Sequence, residues 1–139
     1  MDSFALTNAN VLTDGGFRSG LAVLVEGGRI AALAPESGLP AGIVRRDLGG
    51  GQLLPGFIDV QVNGGGGVLF NNAPTVEALR SIVAGHRRFG STGLLPTLIS
   101  DDVHTMRAAV DAVRQAIAAG VPGVLGIHLE GPYIAPERK

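Results

Sequence analysis

Cysteine is missing from the 139 residues altogether. Its absence excludes a disulfide framework and any metal site built on thiolates, so a bound metal ion would have to be held by histidine, aspartate or glutamate. Histidine is scarce too: His86, His104 and His128 are the only three. The chain lacks an excess of either charge, with 11 basic residues against 12 acidic ones, a net charge of -1, and arginines scattered apart from Arg45-Arg46 and Arg87-Arg88. There is no basic field for nucleic acid. No apolar run nears the roughly 18 residues of a membrane span, and Met1-Asp2-Ser3 has neither the basic start nor the apolar core of a signal peptide. The expected setting is the cytoplasm, with neither nucleic acid nor a membrane as partner. The G-x-S-x-G pattern is absent as well, and Ser91 and Ser100 have no placed base, so serine hydrolase chemistry has nothing to rest on.

What is present is apolar and punctuated by glycine. With 45% hydrophobic and 17% charged residues, the chain can bury a core and is too weakly charged for disorder. Between Phe4 and Leu54, LAVLVEGGRIAAL predicts a β-hairpin, because Gly27-Gly28 supplies the positive φ angles of a two-residue turn. PESGLPAG, residues 35–42, reads as a loop. After Pro55-Gly56 the pattern changes. FIDVQV predicts a strand, and Thr75 to Gly90 carries apolar residues at 76, 79, 82, 83 and 89, with His86 in the same series, which is helical spacing. GLLPTLI predicts a second strand. Ser100-Asp101-Asp102 then caps a helix with Val103, Met106, Val110, Val113 and Ile117 as its apolar face, ended by Gly120 and Pro122. VLGIHLEG predicts a third strand. The order β-α-β-α-β, at about thirty residues per unit, is the signature of parallel strands with crossover helices. Such a succession closes as an eight-stranded barrel in roughly 250 residues or opens as a doubly wound sheet. With three strands after Leu54, and Glu137-Arg138-Lys139 adding no third helix, the chain reads as the front part of a larger protein.

Asp59, Gln61 and Asn63 alternate along FIDVQVNG and are expected on one face at the C-terminal end of the first strand, where a βα barrel has its active site. A polar strand end entering a glycine-rich turn explains the same pattern without chemistry. The run Gly64–Gly67 would let a phosphate approach the backbone, yet the Lys-Ser/Thr of a P-loop and the spaced glycines of a dinucleotide site are absent. His128 and Glu130 alternate at the end of the third strand, directly before Gly131-Pro132. If both face the barrel axis, a cation could neutralise the glutamate there. A hydrogen-bonded His-Glu pair closing the barrel mouth is the plainer alternative. His86, on the apolar face of the first helix, and His104, in the first turn of the second, read as structural residues.

In this order and spacing, LLPGFIDVQVNGGGGVLFN, STGLLPTLIS and GIHLEGPYI resemble the N-terminal part of the N-acetylglucosamine-6-phosphate deacetylases of the amidohydrolase superfamily, over nearly the whole chain. The resemblance implies an α/β fold: strands of a small β-sandwich over residues 1–53, then the first three strands and two helices of a TIM-like (β/α)8 barrel, incomplete, over residues 54–139. It implies metal-dependent hydrolysis of N-acetyl-D-glucosamine 6-phosphate to D-glucosamine 6-phosphate and acetate, in amino sugar catabolism, by a homodimer with one divalent metal ion, zinc or iron. It also assigns roles. The glutamate of the HLEGP segment is a metal ligand, which falls on Glu130, and His128 becomes a neighbour that orients the site. Gln61 and Asn63 stand where many amidohydrolases carry His-x-His, and an amide replaces neither an imidazole nor an anion as ligand, which argues against a second metal. The other ligand histidines, the aspartate acid and base and most phosphate-binding residues are expected beyond residue 139, so no catalytic residue falls within this chain. Two other readings stand beside this one: an amidohydrolase acting on cyclic amides or nucleobases, disfavoured by Gln61 and Asn63, and a truncated, non-catalytic module.

Overall fold

The apolar runs before Pro55 become seven strands in the computed structural model, which describes residues 3–133 and 137: β1 (Ser3–Thr7), β2 (Asn10–Thr13), β3 (Gly16–Arg18), β4 (Leu21–Glu26), β5 (Arg29–Pro35), β6 (Val44–Asp47) and β7 (Gln52–Leu53). Met1-Asp2, Ile134 of GIHLEGPYI and Arg138-Lys139 fall outside the described residues. The chain divides into two compact units, Met1–Pro55 and Gly56–Lys139.

In the first unit one sheet has the order β5-β4-β1-β6 and a second has β3-β2-β7. The β4-β5 hairpin is closed by Gly27 (φ 57°) and Gly28 (φ 77°) with Glu26 paired to Arg29, because a turn with positive φ at both central residues matches the twist of the two strands. Ala5 and Ala22, fully buried, pack with Leu39, Leu24 and Ile43 as a small core. At the end of β6, Asp47 Oδ1 accepts hydrogen bonds from the Gly49 N–H and the Asn8 amide, each at 2.7 Å. These donors, the Gly49 N–H foremost, hold the Asp47 carboxyl below the usual carboxylate range.

The second unit contains β8 (Phe57–Val62), β9 (Gly64–Gly65), β10 (Val68–Leu69), α1 (Val76–Arg87), β11 (Ser91–Ile99), α2 (Val103–Ala118) and β12 (His128–Glu130). Strands β8, β11 and β12 form a parallel sheet in the order β12-β11-β8, with the helices as crossovers. Thr75 caps α1, its hydroxyl accepting from the Ala78 N–H at 3.2 Å. Asp102 caps α2 through the Thr105 N–H at 2.8 Å, the bond that chiefly lowers its carboxyl. Val62, Leu94 and Leu98 of the sheet meet Leu79, Ile82 and Val83 of α1 and the alanines of α2 in one core. No helix among the described residues is long and apolar enough to cross a membrane.

Three local expectations are corrected. The buried face of α2 is Ala109, Ala112, Val113 and Ala116, whereas Val103 is 61% and Ile117 48% exposed. Small side chains let the helix backbone approach its neighbours closely, so three alanines join Val113 in the core, Met106 packs against it, and the two ends of the expected stripe, Val103 and Ile117, lie outside. α1 ends at Arg87, which leaves Phe89 in the following turn, 81% exposed. The third strand is only His128–Glu130: Val124 makes an isolated bridge to Leu94, and residues 125–127 between it and the strand are not strand.

Candidate functional site

Parallel strands bring their C-terminal ends to one edge of the sheet, and that edge gathers Gln61 and Asn63 at the end of β8, Ile99 to Asp101 at the end of β11 and Glu130 at the end of β12. The register carries an irregularity. Between Leu94 and Pro96 β11 advances by two residues while its partner β8 advances by three, from Asp59 to Val62. This is a β-bulge, and Pro96, which has no N–H to give a ladder, sits at it. Thr97 repairs the gap: its Oγ1 accepts the Val62 N–H at 2.9 Å. The extra residue in β8 interrupts the strict alternation expected of Asp59, Gln61 and Asn63. Val62 is buried in the core and its neighbour Gln61 is exposed. Asn63 is half-buried, and its carbonyl accepts from the Phe70 N–H at 2.8 Å. Asp59 turns back on its own strand, with Oδ1 3.1 Å from the Gln61 N–H.

The glycine run has a packing explanation. Gly64 and Gly65 form β9, and Gly66 (φ 59°) and Gly67 (φ 83°) turn the chain into β10. A Cβ on Gly65 would lie 2.8 Å from the His86 ring, and one on Gly66 would lie 2.5 Å from the Ser81 carbonyl oxygen. Helix α1 therefore occupies the space beside Gly65 and Gly66, which accounts for these two glycines by packing. His86 completes the contact, donating from Nε2 to the Gly64 carbonyl at 2.9 Å, a structural role. His104 is exposed in the first turn of α2.

His128 and Glu130 are both half-buried, and register pairs His128 with Thr97 and Glu130 with Ile99. The His-Glu pair is not what the structure holds. His128 Nδ1 lies 3.1 Å from Thr97 Oγ1, and among the described residues no hydrogen bond or ion pair ends on the Glu130 carboxylate. The backbone around Glu130 is fixed instead: its carbonyl accepts from Ser100 Oγ at 2.8 Å, and a side chain on Gly131 would collide with that same oxygen. That collision accounts for the glycine after Glu130 in the motif.

Two residues that hold this edge together were not singled out from the sequence. Thr97 is fully buried and joins β8 to β12. Asn71 pairs both ways with Ile99, donating to its carbonyl at 2.9 Å and accepting its N–H at 3.0 Å, and also donates to Asp101 at 2.9 Å. A polar residue inside the apolar GLLPTLI was the one available signal for Thr97; Asn71 gave none. No three His, Asp or Glu side chains among the described residues come together as a metal site. The donor set fits one carboxylate ligand, at Glu130, and does not hold an ion alone.

Residues 3–53 match the family model of the NagA composite domain. The N-acetylgalactosamine-6-phosphate deacetylase of Shewanella sp. (strain ANA-3) is 45% identical over 133 residues, which cover 94% of this chain and 34% of that protein. The N-acetylglucosamine-6-phosphate deacetylase of Haemophilus influenzae is 37% identical over 136 residues, 98% of this chain and 36% of that protein. The crystal structure of the N-acetylglucosamine-6-phosphate deacetylase from Pasteurella multocida superposes with a TM-score of 0.91 at 36% identity, over 97% of this chain and 36% of that one. The chain thus spans about a third of the length of the relatives it matches. More distant solved amidohydrolases share the fold alone. In class, the parallel strands and crossover helices of the second unit form an α/β fold, and the relatives similar in sequence are amino sugar 6-phosphate deacetylases. More narrowly, nearly the whole chain is similar to the N-terminal region of N-acetylglucosamine- and N-acetylgalactosamine-6-phosphate deacetylases, the kind of protein its motifs resemble.

Proposed function

We propose that this chain is the N-terminal part of a metal-dependent deacetylase that hydrolyses N-acetyl-D-glucosamine 6-phosphate to D-glucosamine 6-phosphate and acetate, as a cytoplasmic homodimer. In this reading residues 1–53 are strands of a small β-sandwich, and residues 54–139 open a (β/α)8 barrel whose later strands supply the other ligands and the acid and base aspartate. The observation that carries it is Glu130, half-buried at the end of a parallel strand, its backbone pinned by Ser100 and its carboxylate bonded to none of the described residues. A carboxylate left so in a folded chain is suited to a cation. One divalent ion, zinc or iron, would lower the pKa of a bound water and polarise the acetamide carbonyl. Glu130 would hold that ion, His128 would orient the neighbouring groups, and Gln61 and Asn63 would line the site as amides, without a second metal.

In the full-length protein, Glu130→Gln is expected to remove most bound metal and activity while leaving the fold, and Gln61→Ala to keep the metal. A full metal equivalent retained by Glu130→Gln on elemental analysis would show that Glu130 is not a ligand. The 45% identity to a deacetylase named for the galactosamine epimer makes N-acetyl-D-galactosamine 6-phosphate the second substrate to assay for acetate release. Turnover of that epimer alone would transfer the assignment to it.

A further inference from the structure

Thr97 has three hydrogen-bonding neighbours and one hydroxyl with which to satisfy them. Its Oγ1 lies 2.9 Å from the Val62 nitrogen, 3.1 Å from His128 Nδ1 and 3.3 Å from the Leu95 carbonyl oxygen. The side chain is fully buried, so water does not make up a missing partner. A threonine hydroxyl brings one proton and two acceptor positions. The Val62 N–H can only donate and the Leu95 carbonyl can only accept. All three contacts are therefore made together in a single arrangement: the hydroxyl proton goes to Leu95, one lone pair takes the Val62 N–H, and the other must take a proton from Nδ1.

We infer that Thr97 is a positioning residue that holds neutral His128 as the Nδ1–H tautomer, leaving Nε2 as the ring's acceptor. The same hydroxyl that closes the bulge at Val62 thus sets which ring nitrogen of His128 carries the proton. The ring then offers a lone pair to a hydroxyl or amide N–H donor, and does not donate from Nε2. Only the use of this acceptor rests on the deacetylase reading; the tautomer rests on the contacts of Thr97.

The experiment is nitrogen NMR on full-length protein labelled with 15N-histidine, at a pH where the nitrogen shifts themselves show the ring to be neutral. Loss of one signal set in His128→Gln assigns the resonances. The expected spectrum shows Nδ1 carrying the proton and Nε2 bare. Thr97→Ser, which keeps the hydroxyl, should preserve that pattern, and Thr97→Val, which keeps the shape without it, should lose the Nδ1–H signal. A wild-type spectrum with the proton on Nε2 overturns the inference, as does an unchanged pattern in Thr97→Val. Should Thr97→Val fail to fold, the wild-type and Thr97→Ser spectra decide alone. Metal content of Glu130→Gln is read separately, so failure of the tautomer and failure of the ligand assignment are distinguishable.

Discussion

Two adjacent glycines in the loop after β8 carry different constraints, and substitution separates them. Gly67 sits at φ 83° with nothing within 4 Å of a Cβ, so alanine there meets only the backbone penalty of a left-handed conformation, roughly 1–2 kcal/mol. Gly66 has φ 59° and, in addition, the Ser81 carbonyl oxygen 2.5 Å from where its Cβ would stand. That oxygen belongs to the backbone of α1 and cannot swing aside. Gly66→Ala is therefore expected to lower the urea midpoint of the full-length protein clearly more than Gly67→Ala. Equal midpoints would mean that the loop does not pack on α1 as described.

At the scale of the element, α2 puts two kinds of apolar position on one helix. Ala112 is 4% exposed and packs in the core, while Val103, 61% exposed, flanks an apolar groove of about 340 Å3 that also involves Met106, Val110 and Leu129. Ala112→Leu forces extra methylenes into a filled space and is expected to cost roughly 1–3 kcal/mol. Val103→Ala removes atoms that are mostly in water and should stay within about 0.5 kcal/mol. Chemical denaturation of the two variants checks the order; a reversed order would mean that Val103, not Ala112, faces the core.

For the molecule as a whole, exposed apolar surface decides the behaviour of the 139-residue chain on its own. Ile30 is 74% exposed, Val44 61%, Ile58 65% and Val60 62%, and the first unit has an apolar cleft of about 310 Å3 lined by Leu6, Val11, Val23, Ile30 and Leu53. Each such side chain left in water forgoes roughly 1.5–3 kcal/mol of burial, against a total stability of about 5–15 kcal/mol for a folded domain. The isolated chain should bind a hydrophobic dye and melt without a cooperative transition. A soluble monomer with a sharp thermal transition and no dye binding would contradict this and favour an independent module.

What the sequence determined by itself lies within short reach along the chain. The Gly27-Gly28 hairpin, the cap at Asp102, and the β-α-β-α-β order each depend on residues a few places apart, whose spacing expresses the period of a strand, a turn or a helix. Glu130 was legible in the same way, as an ionisable residue alternating to the end of β12. Only the tertiary structure decided what required partners from far away. It added Ala109, Ala112 and Ala116 to Val113 on the buried face of α2 and left Val103 and Ile117 outside, since all are apolar and only the closeness of packing distinguishes them. It packed Gly65 and Gly66 against α1, and it brought the Thr97 hydroxyl to Val62, 35 residues before it, and to His128, 31 residues after it. No local period records such contacts, because they exist only once the parallel strands have paired.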